Sequence, residues 1–176
     1  CLISKYDLLD KMDTFLVGGG MNETFRKIDT MIPFNPPMKF EAGTLNLAGI
    51  VGFKAAIEFI ESIGIDNIHA HDVELHDYAI SKLKNNADII LYNIDSKGAS
   101  LLFNRKNVFA QDEATLLNYK GIAIRSGEHC AKLLDEFLGC KATCRMSTYL
   151  YTNKEEIDIF IDALMNGGDI LDAYFN

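Results

Sequence analysis

The amino-acid sequence predicts an α+β fold in which helices cover a small sheet. Long segments with apolar residues at helical spacing alternate with short runs of β-branched residues. The order of these segments favours a small antiparallel or mixed sheet. The chain has 176 residues, of which 48% are apolar and 24% charged, and this suffices for one sizeable core or two small ones.

The first part of the chain contains two predicted helices separated by a long loop. Residues 5–12 have the pattern of a short amphipathic helix. Residues 17–44 hold three consecutive glycines and all three prolines, which predicts a long loop with room for a hairpin. Residues 46–64 form the second predicted helix, with Asn46 as its N-cap and Gly64 as its stop.

The second part of the chain alternates predicted helices and strands. In order, they are a helix at 66–86, strands at 88–93 and 99–104, a helix at 112–121, a strand at 122–125, a helix that follows Cys130 and runs to Gly139, a strand at 144–151, and a helix from Asn153 towards Tyr174. A weak point in the last helix is predicted at Gly167–Gly168.

Charge and composition restrict the possible functions. A formal charge of -8 argues against a nucleic-acid-binding surface. No apolar run approaches the roughly 20 residues of a membrane span, and no signal-peptide pattern opens the chain. The four cysteines form no dense disulfide framework, which favours a reducing, cytoplasmic setting. Because the chain begins with Cys1 rather than Met, we expect it to be part of a longer protein.

The segment IAIRSGEHCA (residues 122–131) places an arginine, a histidine and a cysteine on one turn before a helix. The thiolate is the reactive form of cysteine, and nearby cations and helix N-termini favour it. Arg125, His129 and the following helix supply these aids to Cys130, and Gly127 lets the turn bend. Two interpretations remain open from the residues alone: Cys130 is a presented nucleophile, or it is an inert core cysteine.

Arg145 lies near the start of the otherwise apolar segment CRMSTYLY (residues 144–151). An unpaired buried charge is costly, so this guanidinium needs a partner. The carboxylate of a ligand suits its two-pronged geometry, and a structural ion pair or a solvent-facing edge is the alternative.

A small Gly43–Thr44 step in FEAGTLN (residues 40–46) precedes a predicted helix N-terminus. Such a step can bind an anion such as phosphate. A tight turn followed by a helix N-cap explains the same residues without a ligand.

Two clusters of potential metal ligands occur, but we predict no metal site. The first cluster comprises His69, His71, Asp72 and His76. A solvated helix face explains it better, because metal ligands normally converge from more than one element. The second, Cys140 and Cys144, lacks the spacing of a zinc knuckle.

Four motifs together resemble the SufS-type (group II) cysteine desulfurases, which are close to the selenocysteine lyases. They are KYDLLDKM followed by GGGM, FEAGT-x-N followed by a Gly- and Ala-rich helix, the R-x-G-x-x-C-A turn, and CRMSTYLYTNKEEID. They occur in the family's order along nearly the whole chain. Members of this family are pyridoxal-phosphate (PLP) enzymes of the class V aminotransferase group.

The resemblance implies that the chain is the C-terminal small domain of a PLP fold-type I enzyme together with the tail of the large domain. Residues 1–45 would be the end of the large domain and an interface loop, and residues 46–176 the small domain. Thr44, with Gly43, would reach the phosphate of PLP bound by the other subunit of a homodimer.

The resemblance also assigns roles around the cysteine. Cys130 would attack the sulfur of L-cysteine and carry it as a persulfide, leaving L-alanine. Arg145 would bind the substrate carboxylate, and Arg125 and His129 would line the same site. An acceptor protein of iron–sulfur cluster assembly in the cytoplasm would then receive the sulfur.

Several positions depart from the family pattern. Glu128 replaces a common His, Leu45 replaces a usual Pro, and Thr152–Asn153 inverts the usual pair. None of the lysines lies in the His-Lys context of the family's Schiff-base lysine. We therefore expect the isolated chain to be inactive.

Three alternatives to a desulfurase remain. One is another class V enzyme, such as a selenocysteine lyase or a sulfinate desulfinase. The second is a carrier domain that accepts sulfur on Cys130 without PLP chemistry, and the third is a domain that only dimerises.

Overall fold

The computed structural model of the chain describes residues 1–27, 30–166 and 168. Within these ranges, no helix is both long and apolar enough to cross a membrane. The chain divides into two compact units, the first spanning Cys1–Phe59 and the second beginning at Ile60.

The first unit contains a helix, a hairpin and a short helical turn. Helix α1 spans Tyr6–Lys11. Strands β1 (Asn22–Lys27) and β2 (Thr30–Pro33) pair antiparallel, and a 3₁₀ turn follows at Met38–Phe40. The predicted helix at 5–12 is confirmed, and the predicted loop does contain a hairpin.

Helix α2 (Leu47–Ile63) has the predicted start and stop. Its N-cap is Asn46, whose Oδ1 accepts a hydrogen bond from Gly49 N at 2.9 Å. Its stop is Gly64, which has a φ of 90° and donates its amide to Ile60 O at 2.9 Å. A left-handed φ favours glycine, so the helix ends where the sequence predicts.

The second unit is a four-stranded antiparallel sheet with helices, in the order β3-β4-β6-β5. Its elements are α3 (Ile65–Leu83), β3 (Ile89–Leu91), β4 (Ser100–Arg105), α4 (Ala110–Tyr119), β5 (Arg125–Gly127), α5 (Lys132–Leu138), β6 (Thr143–Ser147) and α6 (Lys154–Asn166). The predicted fold class, a small sheet covered by helices, is confirmed.

One face of this sheet carries the core. Leu101 and Phe103 of β4 lie opposite Met146 and Cys144 of β6, and all four side chains are buried. They pack with buried residues of α3, α4 and α6, and Phe103 meets Phe160 edge to face at 5.5 Å between ring centroids. Because side chains alternate along a strand, the residues between these four point to the opposite face.

Strand β5 begins three residues later than predicted. The sequence placed a strand at 122–125, but pairing with β6 starts at Arg125. Ile122 and Ile124 instead pack against the core, and Ile122 N donates to Leu117 O at 2.9 Å. The β-branched residues therefore mark core packing next to the strand, and the strand itself is formed by Arg125, Ser126 and Gly127.

Strand β6 ends at Ser147 rather than at residue 151. Its partner β4 starts at Ser100, which lies opposite Ser147, and beyond this pair one more backbone hydrogen bond, from Thr148 N to Ala99 O at 2.7 Å, joins the two segments. The chain then turns, and Thr152 N donates to Tyr149 O at 2.8 Å.

Other boundaries shift by one to three residues. Helix α4 starts at Ala110 instead of 112, and α3 ends at Leu83 instead of 86. The predicted extension of the last helix towards residue 174 lies outside the described residues.

Candidate active site

Two arginines lie side by side on the sheet face opposite the core. Arg125 of β5 is directly opposite Arg145 of β6. Such cross-strand neighbours have Cβ atoms about 4.5–5.5 Å apart, and like charges in this position repel each other. No carboxylate of the described chain forms an ion pair with either guanidinium. The pair therefore forms a cationic site that an anion would stabilise.

Arg145 is the less exposed of the two. Its Nε is buried and has no hydrogen-bond partner in the described part of the chain. A buried donor without a partner costs roughly 1–3 kcal/mol. A bound carboxylate would satisfy it, which favours the ligand interpretation of Arg145 over a structural ion pair.

The turn after β5 brings Cys130 back onto Arg125. Gly127 has a φ of 115°, and His129 and Cys130 have φ values of 52° and 62°. Through this bend, Arg125 Nη2 donates a hydrogen bond to Cys130 Sγ at 3.3 Å. Cys130 is exposed, so the structure presents the thiol and does not place it in the core.

His129 fixes this turn to β6. Its Nε2 lies 3.0 Å from the carbonyl oxygen of Thr143 and 3.0 Å from Thr143 Oγ1. The carbonyl can only accept, so Nε2 carries the proton and donates. Left-handed backbone at a non-glycine residue is strained and must be held by its surroundings. The contact with Thr143 supplies such a restraint immediately before Cys130.

The helix expected to follow Cys130 is short. Helix α5 has seven residues and begins at Lys132, and Ala131 N donates to Glu128 O at 2.8 Å before it. Glu128 forms an exposed ion pair with Lys132 at 3.9 Å. Of the aids proposed for Cys130, the contact with Arg125 is therefore the one that the geometry supports most directly.

Cys144 of β6 lies in a different environment from Cys130. Cys144 is fully buried, and its Sγ donates to Ala110 O at 3.3 Å. Burial raises the pKa of Cys144 to about 12, with a further rise from the negative charge of Glu113. This thiol stays protonated and belongs to the core.

The prediction that the histidines of α3 lie on a solvated helix face is wrong for part of the cluster. His69 is exposed, but His76 is only 1% exposed, and His71 Nε2 donates to Thr152 O at 2.9 Å. His76 shares a helix face with the buried Leu75 and Leu83, because these positions fall within one stripe of the helical repeat. The described residues contain no group of three or more potential ligands that could hold a metal ion.

In the first unit, Gly43 and Thr44 form an exposed turn two residues before the N-cap of α2. Gly43 has a φ of 71°, and its amide donates to Gly19 O at 2.8 Å. Within the described residues, the amides of Thr44 and Leu45 and the Thr44 hydroxyl make no hydrogen bond to the chain.

The family model of class-V aminotransferases matches residues 1–160. The chain belongs to the class-V aminotransferase family. The cysteine desulfurase of Haloferax volcanii is 39% identical over 165 residues, and the probable cysteine desulfurase of Halalkalibacterium halodurans is 38% identical over 174 residues. These alignments cover 93% and 99% of this chain but 38% and 42% of the two relatives. The chain thus spans about two fifths of the length of the curated relatives it matches.

Solved cysteine desulfurases have the same fold. The structure is similar to CsdA from Escherichia coli in its S-sulfonic acid form, with a TM-score of 0.85 and 31% identity over 93% of this chain and 40% of that chain. It is also similar to the apo enzyme of Thermococcus onnurineus, with a TM-score of 0.82 and 30% identity over 90% and 40% of the two chains. The likeness to C-DES, a cystine C-S lyase solved with PLP, has a TM-score of 0.71 at 14% identity and shows the fold alone.

The turn at Gly43–Thr44 suits the phosphate of PLP, the cofactor of this family. It offers a hydroxyl and exposed amides, and a Cβ at Gly43 would meet no atom within 4 Å, so the turn is open. The first turn of α2 carries no acidic residue that would repel a phosphate. A hydroxyl and exposed amides beside a helix N-terminus are donors of the kind that an anionic group requires.

Two residues of these sites were not found by sequence reasoning. Thr143 holds His129, and the only feature of the sequence that could have pointed to Thr143 is its position immediately before the CRMS segment. Gly18 packs against the Gly43 turn. The run of three glycines could have indicated such a close backbone contact, but it was interpreted only as part of a loop.

Proposed function

We propose that this chain is the C-terminal part of a PLP-dependent cysteine desulfurase of the SufS type, which removes sulfur from L-cysteine. The observation that carries the proposal is the hydrogen bond from Arg125 to the exposed Cys130, directly across the sheet from Arg145. Arg125 thus lies between the nucleophile Cys130, which it contacts, and Arg145, the proposed carboxylate-binding residue, which is its cross-strand neighbour. The similarity to cysteine desulfurases over nearly the whole chain supports the same reaction.

In this proposal, each residue has a separate task. Arg145 binds the substrate carboxylate through two parallel hydrogen bonds, one of which satisfies its buried Nε. Arg125 donates a hydrogen bond to the sulfur of Cys130 and places a positive charge beside the nucleophile. His129 holds the turn so that the sulfur faces the substrate.

The Cys130 thiolate forms a bond to the substrate sulfur as the carbon–sulfur bond breaks. The electron pair of that bond stays with the substrate, whose β-carbon takes up a proton to give L-alanine. Cys130 keeps the sulfur as a persulfide.

PLP supplies the electron sink that the carbon–sulfur cleavage needs. Thr44, at the turn set by Gly43, holds the cofactor phosphate of the other subunit in a homodimer. The isolated chain contains no lysine in the Schiff-base context, so it does not turn over cysteine. A cytoplasmic acceptor protein of iron–sulfur assembly then removes the sulfur from Cys130.

The test uses the complete enzyme that carries this chain. Alanine formation from L-cysteine is measured for the wild type, for Cys130→Ser and for the matched Cys140→Ser, which changes a thiol outside the proposed site. Cys130→Ser is expected to abolish multiple turnover, and Cys140→Ser to retain it. Equal activity of Cys130→Ser and wild type would refute the proposal. Faster turnover of selenocysteine than of cysteine would identify a selenocysteine lyase instead.

One observation favours a second candidate, a persulfide carrier. The thiol and its arginine partner are five residues apart on one compact unit, so acceptance of sulfur needs no residue from the first unit. Transfer of persulfide from a separate desulfurase onto Cys130 of the isolated chain, without alanine formation by that chain, would support this candidate.

A further inference from the structure

A triglycine segment, Gly18–Gly20, lies against the turn of Gly43 and Thr44. Gly19 O accepts the hydrogen bond from Gly43 N at 2.8 Å. A Cβ added at Gly18 would lie 2.8 Å from Gly43 N and 3.0 Å from the carbonyl carbon of Ala42. Both are backbone atoms, so the clash cannot be relieved by a side-chain rotation. Only glycine at position 18 permits this close approach of the two segments.

The triglycine segment is itself held in place. Gly18 N donates to Met21 Sδ at 3.2 Å, and Asn22 Nδ2 donates to Gly18 O at 3.3 Å. Met21 is fully buried, and its carbonyl accepts a hydrogen bond from Phe34 N at 2.8 Å, next to the end of β2. These hydrogen bonds hold Gly18–Gly20 against the β1–β2 hairpin. The segment can therefore restrain the backbone of Gly43, which it contacts.

The restraint determines which groups of the turn are left for a ligand. The amide of Gly43 is used by Gly19 O, and Gly43 is held in the left-handed region. The donors of Thr44 and Leu45 make no hydrogen bond within the described residues. A change in the Gly43 backbone would reorient these donors, because they follow it directly in the chain.

We propose that Gly18 is a positioning residue for the phosphate-binding turn, which it holds through the contact of Gly18–Gly20 with Gly43. The group that benefits is a phosphate monoester, here the phosphate of the cofactor. This inference rests on the proposed function, since that proposal assigns the phosphate to Thr44. Gly18 itself does not touch the phosphate and acts through the backbone of Gly43.

The chain offers a matched control for the test. Gly18→Ala introduces the clash with Gly43, whereas a Cβ at Gly19 meets no atom within 4 Å and Gly19 has no left-handed φ. Both variants add one methyl group to the same segment, and both keep the Gly19 carbonyl. The complete enzyme, freed of cofactor, is titrated with PLP and with pyridoxal, which lacks the phosphate.

Gly18→Ala is expected to weaken PLP binding by about tenfold or more, the effect of misplacing one hydrogen bond to a charged group. Pyridoxal binding is expected to change by less than about threefold, because no phosphate contact is lost. Gly19→Ala is expected to bind both compounds like the wild type. A purely structural role would lower both affinities equally, and the ratio of the two dissociation constants would not change.

A second variant covers the case in which Gly18→Ala does not fold. Asn22→Ala removes the hydrogen bond to Gly18 O without a clash, and it is expected to lower the preference for PLP over pyridoxal by a smaller factor. An unchanged preference in the folded variants would overturn the inference.

Thr44→Val separates this inference from the proposed function. If Thr44→Val loses the preference for PLP and Gly18→Ala keeps it, the proposed phosphate site stands and the role of Gly18 is wrong. If Thr44→Val keeps the preference, the proposed site is wrong and the inference falls with it.

Discussion

Replacing Arg125 by Gln removes the cation that contacts Cys130 and keeps a polar side chain. The structure places Nη2 3.3 Å from Sγ, and both side chains are exposed. An exposed charged pair contributes about 0.5–1 kcal/mol, because solvent screens it. We therefore expect alkylation of Cys130 at neutral pH to slow by about two- to fivefold in Arg125→Gln, because the positive charge that contacts the attacking sulfur is lost.

The assay is the rate of modification of the native chain by iodoacetamide, with Cys130 followed by peptide mass spectrometry. Lys132→Gln is the matched control, because it also removes one positive charge close to Cys130. Within the described part of the chain, the only ion pair that it removes is the one between Lys132 and Glu128 at 3.9 Å. It is expected to react like the wild type. Rates should converge when all three proteins are denatured.

Two results would contradict a role for the hydrogen bond from Arg125 to Cys130. An unchanged rate in Arg125→Gln would show that the contact does not activate the thiol. Equal slowing in Lys132→Gln would show that general positive charge matters and the hydrogen bond to Sγ does not.

Three further predictions concern the core and the substrate site. Cys144, whose pKa burial raises to about 12, should resist iodoacetamide at pH 8 in the folded chain and react in denaturant, as peptide mapping can check; reaction at the rate of Cys130 would contradict its burial. Burial also raises the pKa of Glu113, despite the ion pair of this carboxylate with Arg105. The folded state therefore binds the Glu113 proton more tightly than the unfolded state does. The stability that this proton contributes is present below the unfolded pKa near 4.5 and is lost as the pH rises through the folded pKa. Chemical denaturation at pH 4 and pH 7 should therefore show the wild type losing stability relative to Glu113→Gln on going to pH 7, and a difference independent of pH would contradict the shift. In the complete enzyme, Arg145→Gln should raise the KM for cysteine by about tenfold or more, the effect of a lost charged hydrogen bond, and an unchanged KM would remove Arg145 from the carboxylate site.

The sequence predicted those elements whose signals are local. Helix α2 carries its own boundaries in Asn46 and Gly64, because a side-chain cap and a left-handed glycine act within one turn. Strand β5 was misplaced because Ile122 and Ile124 have strand-like side chains, yet their burial is set by packing against the core. Tertiary contacts override local preference at such positions.

The candidate site was only partly predictable, for a related reason. Arg125 and Arg145 could be singled out as charges in apolar surroundings, but their register across β5 and β6 depends on pairing between distant segments. The left-handed backbone at His129 and Cys130 has no signal in residue type, since glycine normally occupies such positions. Likewise, the triglycine predicts a turn, and only the structure shows that Gly18 touches Gly43.

In the proposed reaction, Cys130 receives the substrate sulfur. The most direct measurement is a single turnover of the complete enzyme with L-cysteine, followed by mapping of the persulfide with mass spectrometry. If Cys130 is the sulfur acceptor, one added sulfur atom will be found on Cys130, formed together with an equal amount of L-alanine, and none will be found in Cys130→Ser. Alanine formed while Cys130 carries no sulfur, or sulfur found on Cys140 instead, would contradict it.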